Sequence, residues 1–284
     1  MEKAKKLWWC LGLALVMMSC NAGESDEFID RMDKEHKGDK PVANASTQAD
    51  GMSNIAGEEV SYATVDGREI TGYLARPEDT EEDGPALIVI HEWWGLNDNI
   101  RMMTDRLAGE GYTALAVDLY NGKVADAPDS AGTYARSVEQ QQALDNLRQA
   151  YAYLAEEQRA QNIGTIGWCF GGGWSLQTAL ALPEQVDAAV IYYGRLITDA
   201  ERLAKLQMPV LGIFGAEDSG IPPEQVKRFE SALNEAGVTN SIHIYEGADH
   251  AFANPSGTRY NKEAAEDAWQ KTVAFLARTL KQEP

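Results

Sequence analysis

The spacing of apolar and polar positions changes character along the chain. From residue 58 onward, short apolar runs alternate with longer mixed segments. Residues 59–65 and 69–76 read as two short strands, and Asp66-Gly67 between them is a hairpin-turn signal. Residues 86–91 and 113–119 are near-continuous apolar runs, the pattern of strands buried on both faces. Residues 162–168, 186–193, 209–215 and 241–246 supply four more strands. Helical spacing predicts helices over 97–109, 134–157, 170–182, 199–206, 222–236 and 261–280. Residues 121–133, rich in Gly, Asp, Ala and Pro, read as a loop. Strands alternating with helices imply an α/β fold: a mostly parallel sheet of about eight strands with helices on both faces. Ligands of such sheets bind at the carboxyl ends of the strands.

The first 57 residues follow a different rule. Lys3, Lys5 and Lys6 make a basic start, and an apolar run covers residues 7–18. That run is shorter than the about 20 residues a spanning helix needs. Ser19 precedes Cys20, and Met17-Met18-Ser19-Cys20 resembles a bacterial lipoprotein signal, with Met17 where Leu is usual. The resemblance implies a signal peptide over 1–19, acylation of Cys20 and attachment to the bacterial cell envelope, on its periplasmic face or outer membrane. In residues 20–57 the only large aliphatic or aromatic side chains are Phe28, Ile29, Val42 and Ile55. Such a segment cannot fold alone, and it reads as a solvated tether with at most a marginal amphipathic turn at 28–32.

Composition narrows the class. Asp plus Glu number 44 against 25 Lys plus Arg, a formal charge of −19. A surface that negative repels phosphate backbones, so no nucleic-acid partner is expected. Residues 58–284 are long enough for one domain, expected to be monomeric. Of the three cysteines, Cys10 leaves with the signal, Cys20 is lipidated, and Cys169 is left with no intrachain partner. A lone thiol in an exported protein is either buried and inert or reactive.

The surroundings of Cys169 favour reactivity. A strand runs into Gly167-Trp168-Cys169-Phe170-Gly171-Gly172-Gly173, and a helix follows. This is a nucleophile elbow with cysteine in place of serine. The turn lifts the sulfur to a helix N-terminus, and the Phe170 amide is half of an oxyanion hole. The base should follow the last strand, where Asp249-His250-Ala251-Phe252 supplies His250; His36 falls in the tether and His243 inside a strand. The orienting acid should follow the strand before it, where Asp218 is the first choice and Glu217 the second. The order Cys169, Asp218, His250 is that of the α/β-hydrolases. After the first buried strand, His91-Glu92-Trp93-Trp94-Gly95 brings Glu92 near the thiol and offers the Trp93 amide as the second oxyanion donor.

These segments, with Asp118-Leu119-Tyr120, together resemble the dienelactone hydrolase family over about residues 58–282. The resemblance implies an α/β-hydrolase fold and opening of cyclic esters by a Cys–His–Asp triad without metal or other cofactor. It makes Cys169 the nucleophile, His250 the base, Asp218 its partner and Glu92 the carboxylate that helps convert the thiol to thiolate. Enzymes of the family that act on dienelactone hold the substrate carboxylate with arginines, one just after the histidine loop. Asn254 stands there in this chain. Arg136 and Arg195 are candidate replacements, and Trp94 and Tyr120 are candidate pocket walls. A different small ester or lactone is therefore the expected substrate. Two alternatives remain: acyl transfer to an acceptor other than water, and a non-catalytic binding lipoprotein on this fold. Zinc hydrolysis is disfavoured, because His91-Glu92 lacks the second histidine of a zinc helix.

Overall fold

The computed structural model describes residues 22–39, 55, 57–77 and 84–281. The expected signal peptide and the lipidation site at Cys20 lie outside the described residues. Strands β1 (Glu58–Val65) and β2 (Arg68–Ala75) form an antiparallel hairpin. Its turn residues Asp66 and Gly67 have φ of 49° and 75°, the doubly positive geometry of a tight two-residue turn. β2 pairs antiparallel with β4 (Thr113–Val117). β3 (Ala86–Ile90), β5 (Ile163–Trp168), β6 (Ala188–Tyr192), β7 (Val210–Gly215) and β8 (Asn240–Tyr245) continue the sheet, parallel to β4 and to one another. The strand order is β1-β2-β4-β3-β5-β6-β7-β8.

Every residue of β3 to β7 is buried, whereas edge strand β8 is half-buried throughout. This explains why the central strands read as near-continuous apolar runs. The chain leaves β3 toward β4 and then crosses back to β5 on the other side. The carboxyl ends of β3 and β5 therefore flank the crevice where a doubly wound sheet binds ligands.

Two expectations are corrected. Helix α2 (Asp98–Gly109) falls where expected, but the stretch 121–133 is not all loop: α3 runs Pro128–Arg136, with Pro at its first position, where a missing N–H costs nothing. The expected long helix over 134–157 is accordingly divided into α3, α4 (Gln140–Ala152) and a π-helical turn, Tyr153–Glu157.

The second correction is the tether. Residues Ala22–Glu35 form a helix, α1. Phe28, Ile29 and Met32 are buried, and the turn after the helix buries His36. These positions fall on one helical face. The compositional argument held only for isolation: 14 residues make a marginal helix in water. Packing on the body supplies what the segment lacks, since burying one such apolar side chain stabilises by about 1.5–3 kcal/mol. α1 packs against α3 so closely that a Cβ at Gly132 would lie 2.4 Å from Asp33 Oδ1.

Candidate active site

Cys169 sits between the end of β5 and α5 (Phe170–Ala181), with φ 53° and ψ −115°. A positive φ on a side-chain-bearing residue is strained, and the neighbours hold it there. Its N–H donates to Tyr192 O at 3.0 Å, and its carbonyl accepts from Gly173 N at 3.2 Å. The elbow needs glycine on both sides. A Cβ at Gly167 would lie 2.2 Å from Gly171 O, and one at Gly171 would lie 2.2 Å from Ile90 O. Phe170 is the first residue of α5, so its N–H is one of the four helix amides without an intrahelical acceptor.

Three side chains from three loops converge here. Cys169 Sγ lies 3.1 Å from His250 Nε2, and His250 Nδ1 lies 2.8 Å from Asp218 Oδ2. All three are buried. Asp218 Oδ1 accepts from Gly220 N at 2.9 Å and Ile221 N at 2.8 Å, which aims the other oxygen at the imidazole. Glu217, the second choice for the acid, is exposed. Burial raises the Cys169 thiol, but the charge and hydrogen bond of His250, then His36, outweigh it and bring the thiol down to about 6. Burial lowers His250, and the charges of Asp218 and Cys169 more than reverse that. Burial likewise raises Asp218, and His250 holds it below the ordinary carboxylate value. Each of these shifts favours a thiolate–imidazolium pair above a carboxylate.

Glu92 lies beside this group. Its carboxyl is pushed up to about 7, by burial first and by the Cys169 charge second. Asn254 Nδ2 donates to Glu92 Oε2 at 2.6 Å. The residue standing where the family carries an arginine therefore holds this carboxyl. His91 plays another part: its Nε2 accepts from Leu119 N at 3.2 Å, so its Nδ1–H donates to Glu92 O at 2.7 Å. It ties the loop after β3 to the loop after β4. Trp93 is buried in the first of these loops, and Tyr120 Oη donates to Trp93 O at 3.3 Å.

The unexpected component is α1. Met32 Sδ lies 3.9 Å from Cys169 Sγ, and His36 Nε2 lies 3.8 Å from it. The His36 ring stacks on Trp93 and meets Trp94 and His250 edge-on, with centroids 5.4–5.6 Å apart. Asp39 Oδ2 lies 3.0 Å from His36 Nδ1 and accepts from Arg259 at 2.7 Å.

Arg136, a candidate substrate anchor, donates to Asp30 at 2.7 Å and Asp33 at 2.5 Å, both on α1. Arg195, the other candidate, packs beside Gly173 in the first turn of α5. Trp94 and Tyr120 are both buried; the Tyr120 ring lies 5.3 Å from that of Phe170, and the Trp94 ring 5.6 Å from that of His36. Sequence reasoning missed Met32, His36, Asn254 and Arg259. The spacing Phe28, Ile29, Met32, His36 was the available signal for the first two. Asn254 was marked only as standing in place of an expected arginine, without its role, and Arg259 carried no signal.

His36, Cys169 and His250 also present ligand atoms within 4.8 Å of one another. A thiolate and two imidazoles suit zinc or another soft cation. Such an ion would take the lone pairs that the nucleophile and base need.

Comparison with known proteins identifies the family. The profile of the "Dienelactone hydrolase family" matches residues 70–280. A "Putative carboxymethylenebutenolidase" of Saccharolobus solfataricus is 34% identical over 79% of this chain and 99% of its own length. "Protein usf" of Aquifex pyrophilus is 33% identical over 75% of this chain and 95% of its own. The crystal structure of a "Putative Dienelactone Hydrolase" from Klebsiella pneumoniae is 31% identical, covers 80% of this chain and 100% of its own, and superposes with a TM-score of 0.73. The α/β-hydrolase fold and the family follow together: this chain belongs to the dienelactone hydrolase family and is a carboxylic ester hydrolase.

Proposed function

We propose that the protein hydrolyses small carboxylic esters or lactones through a thioester acyl-enzyme, with Cys169 as nucleophile, His250 as base and Asp218 as its orienting acid. The observation that carries this is the relay from Cys169 Sγ to His250 Nε2 at 3.1 Å and from His250 Nδ1 to Asp218 at 2.8 Å, placed at a helix N-terminus.

In this reading the thiolate attacks the ester carbonyl carbon. The developing oxyanion is met by the amides of Phe170 and Trp93. The tetrahedral species collapses, the C–O bond breaks, and the His250 imidazolium gives its proton to the departing alkoxide. In a lactone that hydroxyl stays attached to the acyl group. A water, deprotonated by the now neutral His250, attacks the thioester and releases a carboxylate product and the thiolate. Glu92, with a carboxyl near 7, can exchange a proton with the thiol at neutral pH.

The test follows p-nitrophenyl acetate hydrolysis by the chain from Asn21 onward and by Cys169→Ala, with intact-mass detection of an acetyl adduct. Turnover and adduct should both vanish in the variant. Undiminished turnover would remove Cys169 from the mechanism. We place the protein at the cell envelope through acylated Cys20. Cys20→Ser should move it from the membrane to the soluble fraction, and unchanged membrane recovery would refute the anchor.

A further inference from the structure

The cleft above the thiol is filled by a segment of this chain, and the fit is chemically matched. On the apolar side, Phe28, Ile29 and Met32 are buried, with the Met32 thioether against the sulfur. On the polar side, Arg136 takes Asp30 and Asp33, and Arg259 takes Asp39 and the carbonyl of Glu35. Ser219, next to the catalytic acid, donates to Glu35. The cavity beside His36 and Asp39 has a volume of about 10 Å³, room for roughly one water. A carbonyl carbon must come within roughly 3–3.5 Å of Sγ to react. Met32 and His36 hold that ground, so an ester and α1 exclude each other. The family profile matches from residue 70 onward, and α1 lies outside that match.

We propose that the cleft over Cys169 is a docking surface for an acidic amphipathic helix, that residues 22–39 of this chain are its resident occupant, and that this occupant competes with the ester. Competition with substrate rests on the thiol-hydrolase reading; the docking does not. The arrangement has a definite physical consequence. The helix is marginal off the cleft, so unseating and unfolding are coupled. The segment is tethered to its own site and returns at high effective concentration. Substrate then binds only the open fraction, and its apparent affinity falls by that fraction. The pairs with Arg136 are exposed and orient the helix more than they hold it. The buried Phe28, Ile29, Met32 and His36 supply the hold.

The test uses the full chain, Met32→Asp, and the double variant Asp30→Arg with Asp33→Arg. The first unseats the buried face; the second only reverses the exposed charges that meet Arg136. Iodoacetamide alkylation of Cys169 reports access without requiring hydrolysis. Both variants should alkylate faster than the unmodified chain, Met32→Asp by about tenfold or more. A synthetic peptide of residues 22–39 should slow alkylation of Met32→Asp again and raise its KM for p-nitrophenyl acetate with kcat unchanged. A misfolded variant cannot be protected this way. Equal alkylation rates in all three proteins, or a peptide without effect, would overturn the proposal. Peptide-protected alkylation without ester turnover removes the hydrolase reading and keeps the docking. Ester turnover independent of α1 does the reverse.

Discussion

His36 Nε2 stands 3.8 Å from Cys169 Sγ, brought there from 133 positions away in the chain. The contact does two things at once. It blocks the approach to the sulfur, and it adds a second imidazole to the one already favouring the thiolate.

The two effects separate in a pH profile. Removing His36 takes away a hydrogen bond and a charge that favour the thiolate, so the thiol should titrate higher than about 6. In His36→Ala the midpoint of the alkylation–pH curve should move up, toward the ordinary thiol value of 9.0, while the plateau rate rises because access improves. An unmoved midpoint would mean that His250 alone sets the thiolate.

Asp218 and Glu217 are adjacent in sequence and opposite in consequence. Asp218 is buried against His250 Nδ1, and Glu217 is exposed. Asp218→Asn should lower kcat by about 10³–10⁴, through the wrong imidazole tautomer and loss of imidazolium stabilisation. Glu217→Gln should stay within about twofold, as surface substitutions do. Steady-state rates for the two variants decide between the carboxylates; comparable losses would mean the relay does not run through Asp218.

Glu92 should make stability depend on pH. Its carboxyl titrates near 7 in the fold against an ordinary 4.5. Between those values the unfolded chain has lost the proton and the folded chain has kept it. The contribution is therefore full below about pH 4.5 and is lost as pH rises through about 7, on the order of 3 kcal/mol in total. Glu92→Gln removes this term, so the variant should gain on the unmodified protein across that window. Urea unfolding at about pH 4, 6 and 8 measures it. A difference that is flat with pH would show that Glu92 is not a shifted acid.

Zinc should be an inhibitor, because binding at His36, Cys169 and His250 takes the lone pairs of nucleophile and base. Chelation should restore activity. In His36→Ala the inhibition constant should weaken by at least about tenfold, since a ligand has been lost. Equal potency toward both proteins would place the ion elsewhere.

The periodicity of the chain carried the sheet. Strands buried on both faces are nearly all apolar, and β3 to β7 are, with Thr113 and Thr165 the exceptions. Local sterics carried the elbow, because glycines 167 and 171 are needed wherever that backbone packs so closely. Chain order pointed to His250 and to the loop holding Glu217 and Asp218, since each follows a strand whose place in such a sheet is fixed. These features were legible because each is set by neighbours a few residues away or by a repeating connection rule.

What the sequence could not decide was where a marginal segment finds its partner. Residues 22–39 are too polar to fold in isolation, and composition says nothing of the cleft that receives them. Whether His36 is solvated or stacked on Trp93, and whether Arg136 faces water or Asp30 and Asp33, depends on surfaces built by residues more than fifty positions away. The same holds for Asn254, whose bond to Glu92 spans 162 positions. Burial there removes competing water, and that burial, with the Cys169 charge beside it, raises a carboxyl that its local sequence leaves ordinary.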